Sequence, residues 1–121
     1  MPSCWGCFDR SSIPAWIVDV DTLQFKAAND AALALFGYSR AELLALRLTD
    51  VSPPDMAATL RPRAAHRRIG ETLLPVHARR HFRKDGSIVQ VEITAIPFEG
   101  PGQRLDLELA HEDVRAVVDG N

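Results

Sequence analysis

Hydrophobic and polar positions change period several times along the chain. Ala15-Trp16-Ile17-Val18-Asp19-Val20 is an apolar, β-branched run and predicts a strand. Asp21-Thr22 reads as a turn, and the alternation Leu23-Gln24-Phe25-Lys26-Ala27 predicts the second arm of a hairpin. The spacing then becomes helical. Ala31, Ala32, Leu33, Leu35 and Phe36 share a face, Asn29 stands where an N-cap belongs, and Gly37 stands just past the end. Ser39-Arg40-Ala41-Glu42 is a capping box opening a second short helix through Leu46. Ser52-Pro53-Pro54-Asp55 predicts a third helix start, with Ser52 as N-cap and proline at the first helical position. That helix should run to about Arg68 and be kinked or shortened by Pro62.

Three strands follow, over 72–83, 88–98 and 103–113. Lys84-Asp85-Gly86-Ser87 predicts a tight hairpin with a type I′ turn, and Glu99-Gly100-Pro101-Gly102 a second connection. In the middle strand Val89, Val91, Ile93 and Ala95 share one face. In the last strand the alternation predicts Leu105, Leu107 and Leu109 inward, with Arg104, Asp106 and Glu108 outward. Two strands, three short helices and three strands make an α+β domain.

A chain of 121 residues is one domain's worth. With 46% hydrophobic and 25% charged residues it is neither disordered nor fibrous. Its apolar runs are too short to cross a membrane, and the N-terminus lacks the pattern of a secretory signal. The expectation is a cytoplasmic chain without direct membrane contact. The formal net charge is −2, so no global field attracts nucleic acid. Arg61, Arg63, Arg67, Arg68, Arg79, Arg80, Arg83 and Lys84 form a basic stretch. No aromatics interleave it to stack on bases, so solvated faces are the favoured reading and no nucleic-acid partner is expected.

Cys4 and Cys7 form a Cys-x-x-Cys pair at the start of the chain. A redox dithiol needs a preceding strand and an activating helix N-terminus, and a zinc site needs two more ligands. Neither is supplied, so no metal site is expected. Ser11, Ser12 and Ser39 are explained by the lead-in and the cap. No phosphate-cradling glycine loop precedes a helix, and no catalytic residue is assigned. The chain is expected not to be an enzyme.

Several short pieces stand in a telling order: Ile13-Pro14-Ala15-Trp16-Ile17-Val18-Asp19, Ala28-Asn29-Asp30-Ala31-Ala32, Phe36-Gly37-Tyr38-Ser39-Arg40-Ala41-Glu42-Leu43 and Arg83-Lys84-Asp85-Gly86-Ser87. Each alone is weak, but at these spacings they resemble the opening strand, the Asn-x-Ala-Ala helix start, the Gly-Tyr-Ser-x-x-Glu-Leu signature and the Arg-Lys-Asp-Gly hairpin of a PAS domain. The resemblance covers residues 13–114, leaving 1–12 as a lead-in or cap and 115–121 as an exit toward an effector. It implies a five-stranded antiparallel sheet in the order 2-1-5-4-3, so that 15–20 lies beside 103–113, with three short helices on one face. His111-Glu112-Asp113-Val114-Arg115 is similar to the family's exit motif Asp-x-Thr; Asp113 matches and Arg115 replaces the threonine.

What the resemblance implies for function is a sensory or regulatory module of a signal-transduction protein, with a two-component sensor histidine kinase the commonest companion. Such a module binds a small apolar ligand or relays a conformational signal. The alternative is a ligand-free interaction and dimerisation module of a transcription regulator or cyclase. Pocket candidates are Phe36, Leu43, Leu48, Met56, Leu60, Ala78, Val91, Ile93 and Leu107; structural or signalling candidates are Asn29, Glu42, Lys84 and Asp113, with Glu42 expected to reach Lys84. No cofactor is assigned. A cysteinyl flavin adduct is excluded because Leu48 stands at the reactive cysteine's position, and Cys4 and Cys7 lie too far N-terminal to attach a coumarate-type chromophore. A haem on His66 is disfavoured by its polar surroundings. His77 and His81 share strand parity with Arg79 and Arg83, a face read as solvent-facing or interfacial. Trp5 and Phe8, three residues apart, suggest that the N-terminal segment takes part in a homodimer, with the outward Thr94 and Ile96 as an apolar landing site.

Overall fold

The computed structural model describes residues 8–55 and 76–112, with backbone alone at 76–78 and at 112. Five strands form one antiparallel sheet: β1 (Ala15–Asp19), β2 (Phe25–Ala28), β3 (Val76–Phe82), β4 (Ile88–Gly100) and β5 (Gln103–Glu112). Their spatial order is β2-β1-β5-β4-β3, as expected. Two helices, α1 (Asp30–Phe36) and α2 (Arg40–Leu44), are followed by a 3₁₀ turn at Leu48–Val51. A short helical turn spans residues 8–10. Met56, Leu60, His66, Cys4, Cys7, Trp5 and Asp113 lie outside the described residues, as does most of the third predicted helix.

The local signals operate as their chemistry dictates. Asn29 caps α1, its side-chain oxygen accepting from Ala32 N–H, and Gly37 ends the helix at φ 83°, a left-handed conformation that glycine adopts without a Cβ clash. Ser39 and Glu42 satisfy each other's backbone N–H groups in a complete capping box. The third helix opens at residues 54–55, just after Ser52, and beyond 55 lies outside the described residues. The Ser52 hydroxyl donates to the Leu48 carbonyl at 2.7 Å and closes the 3₁₀ turn.

The β3–β4 hairpin differs from its expected form. Of the described residues outside glycine only Leu23 has positive φ, so Asp85 is not left-handed as a type I′ turn requires. Gly86 alone carries positive φ, at 88°, between the paired Arg83 and Ser87. This is the three-residue loop in which a type I turn ends on a left-handed glycine. The hairpin is fastened to the helical layer. Lys84 N–H donates to the Phe36 carbonyl at 2.9 Å, and the Arg83 side chain to the Leu35 carbonyl at 3.0 Å.

β5 runs beside β1 for five residue pairs and beside β4 for ten. Its faces are reversed from the expected assignment. Asp106, Glu108 and Ala110 are buried, while Leu107 and Leu109 are half-exposed. The register explains this. Glu108 lies opposite Trp16 and Ala95, both inward, and Leu107 lies opposite Ile17 and Ile96, both outward. Leu105, also on the outer face, is buried by folding over Gly100, where an added Cβ would meet its Cδ1 at 3.0 Å.

The faces of β3 also depart from simple alternation. Val76 pairs with Ile93 but Arg79 pairs with Val91, so the register shifts between Val76 and Arg79. A bulge inserts one residue and flips every side chain beyond it. Arg79 and His81 therefore point inward and are fully buried, contrary to the expectation of a solvent-facing or interfacial face.

Candidate functional site

The inner face of the sheet meets the helical layer around an aromatic cluster. Trp16 from β1 and Phe36 from α1 pack edge to face on each other and on both Phe25 from β2 and His81 from β3, with ring centroids 5.2–6.5 Å apart. Each such pair contributes about 0.5–1.5 kcal/mol beyond simple burial. Leu43, Leu48, Val51, Val91 and Ile93 complete the same core. Thus Phe36, Leu43, Leu48, Val91 and Ile93, all expected to line the interior, do meet there. Leu107 does not, because it stands on the opposite face of β5. Ala78 sits in the bulged stretch of β3, where only its backbone is described.

The sequence reading missed the polar side chains that share this interior. Arg79, His81, Asp106 and Glu108 are all at most 1% exposed. Glu108 accepts a hydrogen bond from the Trp16 indole N–H at 2.7 Å, across the β1–β5 pairing. The indole of a buried tryptophan needs such an acceptor. The two strands that carry ionisable groups, β5 and β3, flank β4, whose inward residues Val91, Ile93 and Ala95 are apolar.

His81 is the most constrained of these groups. Neither ring nitrogen has a hydrogen-bond partner among the described residues. An orphaned buried polar group of this kind costs about 1–3 kcal/mol. Burial holds its pKa well below the ordinary imidazole value, at about 3, and the positive charge of Arg79 pushes it the same way. The Val51 backbone pulls weakly in the other direction without reaching hydrogen-bond geometry. The ring is therefore neutral at physiological pH, with one N–H donor and one acceptor nitrogen.

The structural candidates lie elsewhere on the domain. Asn29, fully buried, uses its whole carboxamide: the oxygen accepts from Ala15 and Ala32 N–H, and the nitrogen donates to the Phe8 and Ile13 carbonyls. Lys84 Nζ meets Glu42 Oε2 at 2.8 Å, joining α2 to the hairpin as expected. That contact, first, and the Ser39 N–H, second, hold the Glu42 carboxyl at about 2. Among the described residues no group of acids, histidines and cysteines is placed to hold a metal ion, and no helix is long and apolar enough to cross a membrane.

Comparison with known proteins agrees with this geometry. A family model described as PAS domain matches residues 14–114. The chain belongs to the PAS family. Solved PAS structures share its fold. It is similar to the PAS domain of an HTR-like protein from Haloarcula marismortui, at 20% identity and TM-score 0.77, over 88% of this chain and 85% of that one. A domain of a sensory box sensor histidine kinase/response regulator from Geobacter sulfurreducens matches at 24% identity and TM-score 0.71, covering 91% of each chain. The PAS domain of nitrogen regulation protein NR(II) from Vibrio parahaemolyticus matches at 20% identity and TM-score 0.70, over 93% of this chain and 99% of that one. No curated protein matches. PAS domains are sensory modules, and that description extends to this one.

Proposed function

We propose that this PAS domain senses a small molecule in the interior of its sheet and passes the resulting change to an effector in a signal-transduction protein, with a histidine kinase as the favoured effector. The observation that carries the reading is the buried set Arg79, His81, Asp106 and Glu108 within an otherwise apolar core. A domain of this size gains more stability from apolar residues at such positions than from ionisable ones. Phe36, Leu43, Leu48, Val91 and Ile93 would form the apolar walls. The kinase assignment is supported by the sensor-kinase origin of the Geobacter sulfurreducens relative. The domain is read as a sensor and not as a catalyst.

Native mass spectrometry with an absorption spectrum of the purified protein tests the ligand. A bound mass that is lost on denaturation is the expected result. Bare polypeptide mass after expression in several hosts would count against it.

A second reading is favoured by the outer face. Ile17, Leu107 and Ile96 form a half-exposed apolar row across three strands, extended by Leu109 and Phe98. A sheet face of this kind suits a protein partner better than water. Homodimerisation through it, with the N-terminal segment taking part, is compatible with sensing and is the main role in a ligand-free interaction module.

A further inference from the structure

β3 is an edge strand, paired with β4 alone among the described strands. The bulge between Val76 and Arg79 interrupts that pairing and leaves a continuous ladder of four residue pairs, Arg79–Phe82 against Ile88–Val91. β4 and β5 share ten. The side chains that this short stretch sends inward are Arg79 and His81, where β4 sends Val91, Ile93 and Ala95. Its described fastenings to the helical side are polar: Arg80 to Asp55, the Arg83 side chain to the Leu35 carbonyl, Lys84 N–H to the Phe36 carbonyl, and Lys84 Nζ to Glu42. An edge strand held this way can lift while the rest of the fold stays closed.

His81 makes that lifting depend on protons. Its ring is fully buried against Trp16 and Phe36, and neither nitrogen has a hydrogen-bond partner among the described residues. An imidazolium there would carry two N–H groups with no acceptor for either. The groups facing it give no relief. Arg79, on the same strand, is a cation. β1 presents Trp16, α1 Phe36, β4 the paired Val89, and the 3₁₀ turn the Val51 backbone, none of which titrates. Asp50 of that turn is exposed and holds the Arg47 N–H. Arg83 and Lys84 are engaged at the hairpin, and Asp106 and Glu108 stand on β5, beyond β4, with interactions of their own.

We propose that β3 and its hairpin form an acid-released flap with His81 as the trigger: the packed ring cannot hold a second proton, the lifted ring can, and acidification therefore populates the lifted strand. The release needs only a proton and is independent of any small molecule in the interior. The direction follows from linkage. Free in water the ring protonates at about 6.5, and in the closed strand only at about 3. Above pH 7 the flap is held. Between pH 7.5 and 5 the lifted population should rise about thirtyfold. The Glu42 carboxyl, at about 2 when paired and 4.5 when free, acts in the same direction but mainly below this interval.

Backbone amide exchange of the full chain, followed by NMR and corrected for intrinsic rates, is the test. Amides of residues 80–82 and 88–90 should be less protected than those of β1 and depend less on urea. They should lose protection about thirtyfold from pH 7.5 to 5. His81→Phe, or His81→Leu where the larger ring does not fold, should keep the weaker protection and lose the thirtyfold change. Glu42→Gln, which loosens the hairpin and spares the ring, should speed exchange at both pH values and keep the ratio. Protection of β3 equal to that of β1 would mean that the strand lifts only with the whole fold, and overturns the flap. Weak protection without the pH change, or the same change in the His81 variants, overturns the trigger. A ratio lost in Glu42→Gln moves the trigger to the Glu42–Lys84 pair and overturns it equally.

Discussion

The Asn29 carboxamide nitrogen lies 3.0 Å from the Phe8 carbonyl oxygen, twenty-one residues away in sequence. The same nitrogen donates to Ile13, and the oxygen on the other side of the group caps α1 and receives the first N–H of β1. One side chain thus ties the N-terminal lead-in to the start of both the sheet and the helical layer. A residue chosen only as a helix cap would need one of these four bonds.

Two substitutions separate the functions. Asn29→Asp keeps an acceptor for Ala15 and Ala32 but sets a carboxylate oxygen against the Phe8 and Ile13 carbonyls. Amide exchange across residues 8–13 should accelerate while α1 remains protected. Asn29→Ala removes all four bonds and should cost about 2–4 kcal/mol, more than the roughly 1 kcal/mol of an ordinary cap. Equal exchange rates in wild type and Asn29→Asp would show that the lead-in is held by other contacts.

Much of this framework was legible because its signals are local. The caps at Asn29 and Ser39 and the left-handed Gly37 follow from residue types at fixed spacing, whereas the Glu42–Lys84 pair was expected from the resemblance to PAS domains. The faces of β3 and β5 were not. Period-two alternation separates two faces without saying which one is buried. In Leu105-Asp106-Leu107-Glu108-Leu109 the apolar set faces outward, so the hydrophobic preference points the wrong way. On β3 the bulge before Arg79 breaks the parity count, and no glycine or proline within 76–79 marks it. The buried polar groups stayed hidden for the same two reasons.

Glu108 and Trp16 offer a direct measure of one of them. Glu108→Gln retains an acceptor for the indole N–H and should leave stability within about 1 kcal/mol. Glu108→Leu leaves that donor unsatisfied inside the core and should cost about 1–3 kcal/mol, with a shift in tryptophan emission as the indole loses its partner. Chemical denaturation of the two variants gives the comparison. A Leu variant as stable as the Gln variant would mean that the 2.7 Å bond contributes nothing net.

The pH dependence of folding should carry the signature of His81. Its folded pKa, about 3, lies below the ordinary value of 6.5 because burial and Arg79 both disfavour the charged ring. Between these values the unfolded chain binds the extra proton, so stability falls as pH drops through 6.5 toward 3. From pH 6.5 to 5 one such group accounts for about 2 kcal/mol. His81→Phe should lose this slope and leave the rest of the chain's pH dependence in place. Parallel stability curves for wild type and variant over that window would place the imidazole in contact with water.

The outer row Ile17–Leu107–Ile96 yields the last prediction. If a second copy covers it, Leu107→Glu puts a charge at the centre of the interface, and light scattering should show a dimer become a monomer. Leu107 is half-exposed and outside the inner core, so the variant should keep the wild-type circular dichroism. A chain beginning at residue 13 separates the contribution of the lead-in. It retains β1 and the row but loses the helical turn at 8–10. A monomer in this shortened chain alone would assign the interface to the N-terminal segment, and a monomer only in Leu107→Glu would assign it to the sheet. Wild type remaining monomeric at high concentration would remove the homodimer and leave the row to a different protein.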